Sequence, residues 1–162
     1  MKPNIRISFG LLIAHFLPGS FVVLSIFWGR ILKPDVLDWM DNNQTTAIII
    51  SILLSLIIGL IIDSIRYSFT CLLSSGKKYD ITFKGISSDD IVVYESFLEH
   101  YFRYHQFYGN MSIATLVSLF ILCEILPCYL ILLSILIIVV LFYASYRTFN
   151  KFMERLCQKF SK

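Results

Sequence analysis

His15, Asp63 and Arg66 are the side chains whose chemistry is least at home where the sequence puts them. His15 lies inside the apolar run "ISFGLLIAHFLPGSFVVLSIFW", and Asp63 and Arg66 close the run "TTAIIISILLSLIIGLIIDSIR". An imidazole with an ordinary pKa of about 6.5 can relay a proton or sense acidity. A carboxylate inside hydrocarbon must find a partner or a wet cavity. The three residues therefore define a candidate intramembrane polar site with two readings. In the first, His15 is a hydrogen-bonded structural histidine facing neighbouring helices, and Asp63 pairs with Arg66 at i+3. In the second, His15 and Asp63 line or gate a conducting path, with a kink at "LPG" (Leu17 to Gly19) as its hinge.

Other reactive spacings are poor. Glu95, Glu99 and Arg103 stand at i, i+4 and i+8 beside His100, the pattern of a charged helix face. HExxH, GxSxG, P-loop, RxxxxH and Asp-rich lipid-phosphate motifs are absent from the sequence. Cys71, Cys123, Cys128 and Cys157 form no CxxC pair and no His/Cys spacing that holds zinc, so they read as apolar filler. Neither a metal nor a cofactor is expected, and the chain reads as a non-enzyme. A membrane-embedded lipid-modifying enzyme built on His15, Asp63 and Arg66 is the weaker alternative.

The elements that must position these residues follow from hydropathy. The 162 residues are 57% hydrophobic and 15% charged, more apolar than a soluble core of this size needs. Spans of about 20 apolar residues fall at Ile7 to Trp28, Thr45 to Ile65, Tyr108 to Leu126 and Cys128 to Tyr146. The first is too long for a signal-peptide core and ends in "FWGR" without a small-x-small site, so it reads as an uncleaved span. The last two are parted only by a predicted hairpin at "CEILPC". With four spans, one side carries Lys2, Arg6, Arg66, Lys77, Lys78, Lys84, Arg103, Arg147, Lys151, Arg155, Lys159 and Lys162, and the other only Arg30 and Lys33. That asymmetry puts both termini in the cytoplasm. The expectation is an all-α, integral-membrane four-helix bundle, a single domain in a bacterial inner membrane. Its net charge of +3 reflects topology and anionic headgroups, with no nucleic acid as partner.

Small residues at intervals of four suggest how the spans pack. Ser51, Ser55 and Gly59 form one groove and Asn110, Ala114 and Ser118 another. Such stripes let helix backbones approach closely in lipid. They join helices within one chain or, as a homo-oligomer, between chains around a symmetry axis.

Outside the spans, a short interfacial helix is expected after Pro34, with Trp28 and Trp39 at headgroup level. The cytoplasmic loop from about Arg66 to Phe107 should hold a short strand at Tyr79 to Lys84, then a helix capped by Ser87 or Ser88. The face of that helix is Ile91, Tyr94, Leu98, Tyr101, His105 and Tyr108. Its aromatic density reads either as a belt at the inner membrane surface or as a docking face for a cytoplasmic protein. The docking candidates are Tyr94, Phe97, Tyr101, Phe102, Tyr104 and His105.

The strings "HFLPGSF", "GLIIDSIRYSF" and "YFRYHQFYGNM" resemble stretches of small, uncharacterised bacterial multi-pass membrane proteins, some of which belong to multi-gene anti-phage defence systems. The resemblance implies a membrane subunit in a defence or stress system and assigns no residue a role. The reading favoured is an oligomeric membrane assembly with a cytoplasmic docking face. The alternative is a channel or membrane-perturbing assembly gated through His15 and Asp63.

Overall fold

A computed structural model describes residues 5–29, 34–74 and 88–160. It is all-helical, with no strand among the described residues; the predicted strand at Tyr79 to Lys84 lies outside them. The elements are α1 (Ile5–Trp28), α2 (Pro34–Asn42), α3 (Gln44–Ser74), α4 (Ser88–Phe97), a π turn (Leu98–Phe102), α5 (Arg103–Leu122) and α6 (Cys128–Phe160).

The boundaries have local causes. Pro34 heads α2, where its missing N–H is not needed, and Asp35 favours the positive end of the helix dipole. Pro127 cannot extend α5, but its carbonyl accepts from Leu130 and Ile131 and so begins α6. The chain therefore turns at "CEILPC", as hydropathy predicts.

Two predicted spans lie inside longer helices. Helix α3 continues past Ile65 to Ser74, and α6 continues past Tyr146 to Phe160. Hydropathy marks where charge begins, but charge does not break a helix, and neither Gly nor Pro occurs in 60–74 or 128–160. The helix starting at Ser88 runs into the third predicted span, as the continuity of its aromatic face through Tyr108 implies. It runs into α5 through the π turn, where the Arg103 N–H bonds the Leu98 carbonyl. One extra residue in that turn re-aims the side chains that follow it.

Helix α1 packs on both α3 and α5, α3 also touches α5, and α6 lies along α5 and reaches back to α4 and the π turn. The centre of the α1, α3 and α5 group is Val22, Ile62 and Ala114, with Ile26, Ile58 and Val117 around them. A second cluster joins Phe152, Leu156 and Phe160 of α6 to Tyr94, Phe97, Leu98, Tyr101 and Phe102. The architecture is thus a three-helix unit with α6 added on α5, rather than four equivalent neighbours.

The α1–α3 contact is a close approach of backbones. A Cβ on Gly59 would collide with the His15 carbonyl, and one on Gly19 would collide with the Ser55 carbonyl. Helix α1 continues across Pro18, which is fully buried.

Among the described residues, two helices are long and apolar enough to cross a membrane. The most apolar windows lie in Gln44–Leu72, with mean hydropathy 2.8, and in Cys128–Phe160, with mean hydropathy 2.7. Only 22% and 6% of those windows are buried in the molecule. The shorter apolar helix Leu12–Trp28 accompanies them.

Candidate functional site

Helix α5 turns its small and polar residues inward. Its buried positions are His105, Gly109, Asn110, Ser112, Ala114, Thr115 and Ser118. Small side chains admit α1 and α6 to close range, and the polar ones meet polar groups on those helices and on α3. The result is a hydrogen-bonded network contributed by α1, α3, α5 and α6.

Asp63 is its anionic centre. Oδ1 accepts from Arg66 Nε at 3.0 Å, Arg66 Nη2 at 2.9 Å and Asn110 Nδ2 at 3.1 Å. Oδ2 lies 3.5 Å from His15 Nε2. Asn110 is fully buried and fixed on both sides of its amide: Nδ2 also donates to the Ala14 carbonyl at 3.0 Å, and Oδ1 accepts from Arg66 Nε at 3.1 Å. One side chain on α5 thereby ties α1 to the ion pair on α3.

The other edge of Arg66 reaches His105. Arg66 Nη1 stands 2.9 Å from His105 Nε2, while His105 Nδ1 lies 3.0 Å from the Ser145 carbonyl and 2.8 Å from Ser145 Oγ. Guanidinium has donors only, so Nε2 accepts. The Ser145 carbonyl is an acceptor only, so Nδ1 carries the proton. His105 is held as the neutral Nδ1–H tautomer, and Ser145 Oγ donates to the His105 carbonyl at 3.0 Å.

That assignment limits the chemistry. A serine beside a histidine invites a nucleophile-and-base reading, but Nδ1 bears its proton toward Ser145 and Nε2 is occupied by Arg66. No lone pair on the ring is free to take the Ser145 proton. Among the described residues no group of three or more His, Cys, Asp or Glu could hold a metal ion.

A cavity of about 290 Å³ borders the network. It opens between α3 and α6, with α5 as its floor. Arg66, His105 and Ser145 form its buried polar end, and Ile113, Leu116, Ile138 and Phe142 line its apolar body. Gly109 lies between, and a Cβ there would stand 2.6 Å from Arg66 Cδ, so the glycine leaves room for the guanidinium stem.

His15, Asp63 and Arg66, singled out as a polar site, are brought together. Ser55 and Gly59 face α1, while the half-buried Ser51 accepts at its carbonyl from Ser55 Oγ at 2.7 Å. Asn110, Ala114 and Ser118 are all buried inside the chain. Ser118 Oγ has no hydrogen-bond partner, the one such buried side-chain atom among the described residues.

The aromatic docking candidates divide. Tyr94, Phe97, Tyr101 and Phe102 pack on the C-terminal part of α6, with Phe102 and Phe152 rings centred 5.3 Å apart. His105 is buried in the network, and Tyr104 is exposed and stacked on Tyr108 at 6.1 Å. The charged face also resolves: Arg103 lies 3.8 Å from Glu99, and His100 Nδ1 lies 2.9 Å from the Ser96 carbonyl.

Ser145 and Gly109 are the residues of this site that spacing did not single out. The available signal was the rule that polar side chains in apolar helices face inward, applied to the one serine in "LFYASYR". No family model, curated protein or solved structure matches this chain.

Proposed function

We propose that this chain is a multi-pass protein of the bacterial inner membrane, crossing with α1, α3, α5 and α6, keeping both termini in the cytoplasm, and acting as a non-enzymatic subunit of a membrane assembly. The observation that carries the reading is the outward apolar surface of α3 and α6, whose most apolar windows are 22% and 6% buried. The core helix of a water-soluble protein hides such a window, whereas lipid is its natural solvent.

The basic residues support the orientation. Arg147, Lys151, Arg155 and Lys159 recur every four positions on the exposed side of α6, while Phe152, Leu156 and Phe160 bury its other side against α4 and the π turn. An amphipathic basic helix of this kind suits the anionic inner surface of a membrane.

The assembly role rests on how the charges are used. Asp63, Arg66, His105 and Asn110 hydrogen-bond one another across the helices, which favours a holding function over a permanent polar pore. Because Ser55, Gly59, Asn110, Ala114 and Ser118 are occupied within the chain, a homo-oligomer is left other faces to use. Gated conduction is the second reading, favoured by the 3.5 Å approach of His15 to Asp63, and it requires the network to open.

Alkaline washing of membranes and reporter fusions at Asp41 and at the C-terminus test the location and topology. Retention in the pellet and opposite-side signals are expected; release into the supernatant, or both reporters on one side, contradicts the proposal. Proteoliposome ion flux separates the two readings: the holding role predicts no flux, and flux abolished by Asp63→Asn favours conduction. Mass in mild detergent, together with capture of cytoplasmic proteins, tests the assembly.

A further inference from the structure

We propose that the cavity between α3, α5 and α6 binds an anionic phospholipid, with one acyl chain along Ile113, Leu116, Ile138 and Phe142 and the phosphate toward Thr70 and Asn150. This rests on the membrane reading above. The cavity is graded along its length: beside Ser112, apolar residues line the end formed by the middle of α5 and the first half of α6, while Arg66, Thr70, His105 and Asn150 join the aromatic Phe69, Tyr146 and Phe149 at the other. An inner-leaflet lipid has the same order, tail in the hydrocarbon and phosphate at the basic surface.

The lining is electrically one-sided. Arg66 contributes to it, Asp63, which pairs with Arg66 at 2.9 Å, does not, and none of the described lining residues is acidic. Arg147 and Lys151 are exposed, each one position beyond a lining residue, Tyr146 and Asn150. A phosphate at this end therefore meets two flanking cations beside an already balanced ion pair, so charge selects an anionic head over a zwitterionic one.

Size and access fit one chain. About 290 Å³ lies at the small end of ligand cavities, which begin near about 300 Å³, and suits one acyl chain rather than a whole diacyl lipid. Phe69, Leu116, Phe142 and Tyr146 are lining residues with exposed outer surfaces, so the tail enters sideways between α3 and α6.

The test uses full-length protein in mild detergent, offered equal amounts of phosphatidylglycerol and phosphatidylcholine, with bound lipid counted by native mass spectrometry. The wild type should retain one phosphatidylglycerol with about a fivefold preference, the scale supplied by a single basic residue near an anionic surface. Leu116→Trp and, independently, Ile138→Trp fill the cavity from its floor and from its α6 wall and should abolish retention without altering the unfolding temperature. Arg147→Gln with Lys151→Gln should reduce the preference while leaving a lipid bound. Glycerol phosphate, which has the head but no tail, should not compete. Equal retention of both lipids by the wild type, retention unchanged in a folded tryptophan variant, or displacement by glycerol phosphate overturns the proposal. Release of the protein by alkaline washing overturns the membrane reading instead, because lipid retention is measured on purified protein.

Discussion

Arg66 Nη1 and His105 Nε2 stand 2.9 Å apart across 39 positions of sequence. A guanidinium can only donate, so this contact fixes the histidine as neutral and acceptor-directed. Nδ1–H then points at Ser145 on α6, and Asp63 on α3 lies at the opposite edge of the same arginine. Arg66, 5% exposed, is thus joined through His105 of α5 to Ser145 of α6.

Removing the acceptor should expose that dependence. His105→Leu leaves a buried guanidinium donor unmet and should lower stability in detergent by about 1–3 kcal/mol. His105→Gln, whose amide oxygen can accept, should recover part of the loss. Thermal unfolding of both variants checks this, and equal losses would show that the contact to Arg66 is not what matters.

The part of this site legible in the sequence was the part that broke a pattern. His15, Asp63 and Arg66 interrupt apolar runs, so the cost of burying them marks them before any fold is known. His105 and Asn110 fit other patterns equally well, the first an aromatic stripe and the second a small-residue groove. Spacing gave each a helix face but could not say which neighbour would arrive there. The π turn adds a further obstacle, since one inserted residue changes the register between Tyr101 and His105 and is not encoded in a hydrophobic period. The span limits at Ile65 and Tyr146 mark where charge begins and say nothing of where a helix ends: Arg66 turns its side chain inward and α3 continues to Ser74.

The α1–α3 crossing predicts a sharp difference between neighbouring small residues. Gly59→Ala and Gly19→Ala each drive a methyl group into a facing backbone carbonyl and should cost about 2 kcal/mol or more. Gly59→Leu should prevent folding. Ser51→Ala should change stability by less than about 0.5 kcal/mol, because Ser51 joins through its carbonyl. Unfolding temperatures of the four variants decide this, and a tolerated Gly59→Ala would contradict the crossing.

The aromatic helix is held by its own chain. Phe152→Ala removes the ring that packs on Phe102 and should cost about 3 kcal/mol. Amide exchange in Tyr94 to Phe102 should accelerate while α1 and α3 stay protected. Uniform acceleration across all helices would mean that the C-terminal part of α6 supports the whole molecule rather than α4 and the π turn.

Asp63 and Arg66 act as one hydrogen-bonded unit that holds the helices together, and a double-mutant cycle is the sharpest check of that unit. Asp63→Asn and Arg66→Gln each strand a partly or fully buried partner and should each cost about 3 kcal/mol in detergent. With both charges gone, the combined variant should lose clearly less than the sum of the single losses, with a coupling of at least about 1 kcal/mol. Single losses that add without coupling would contradict the account.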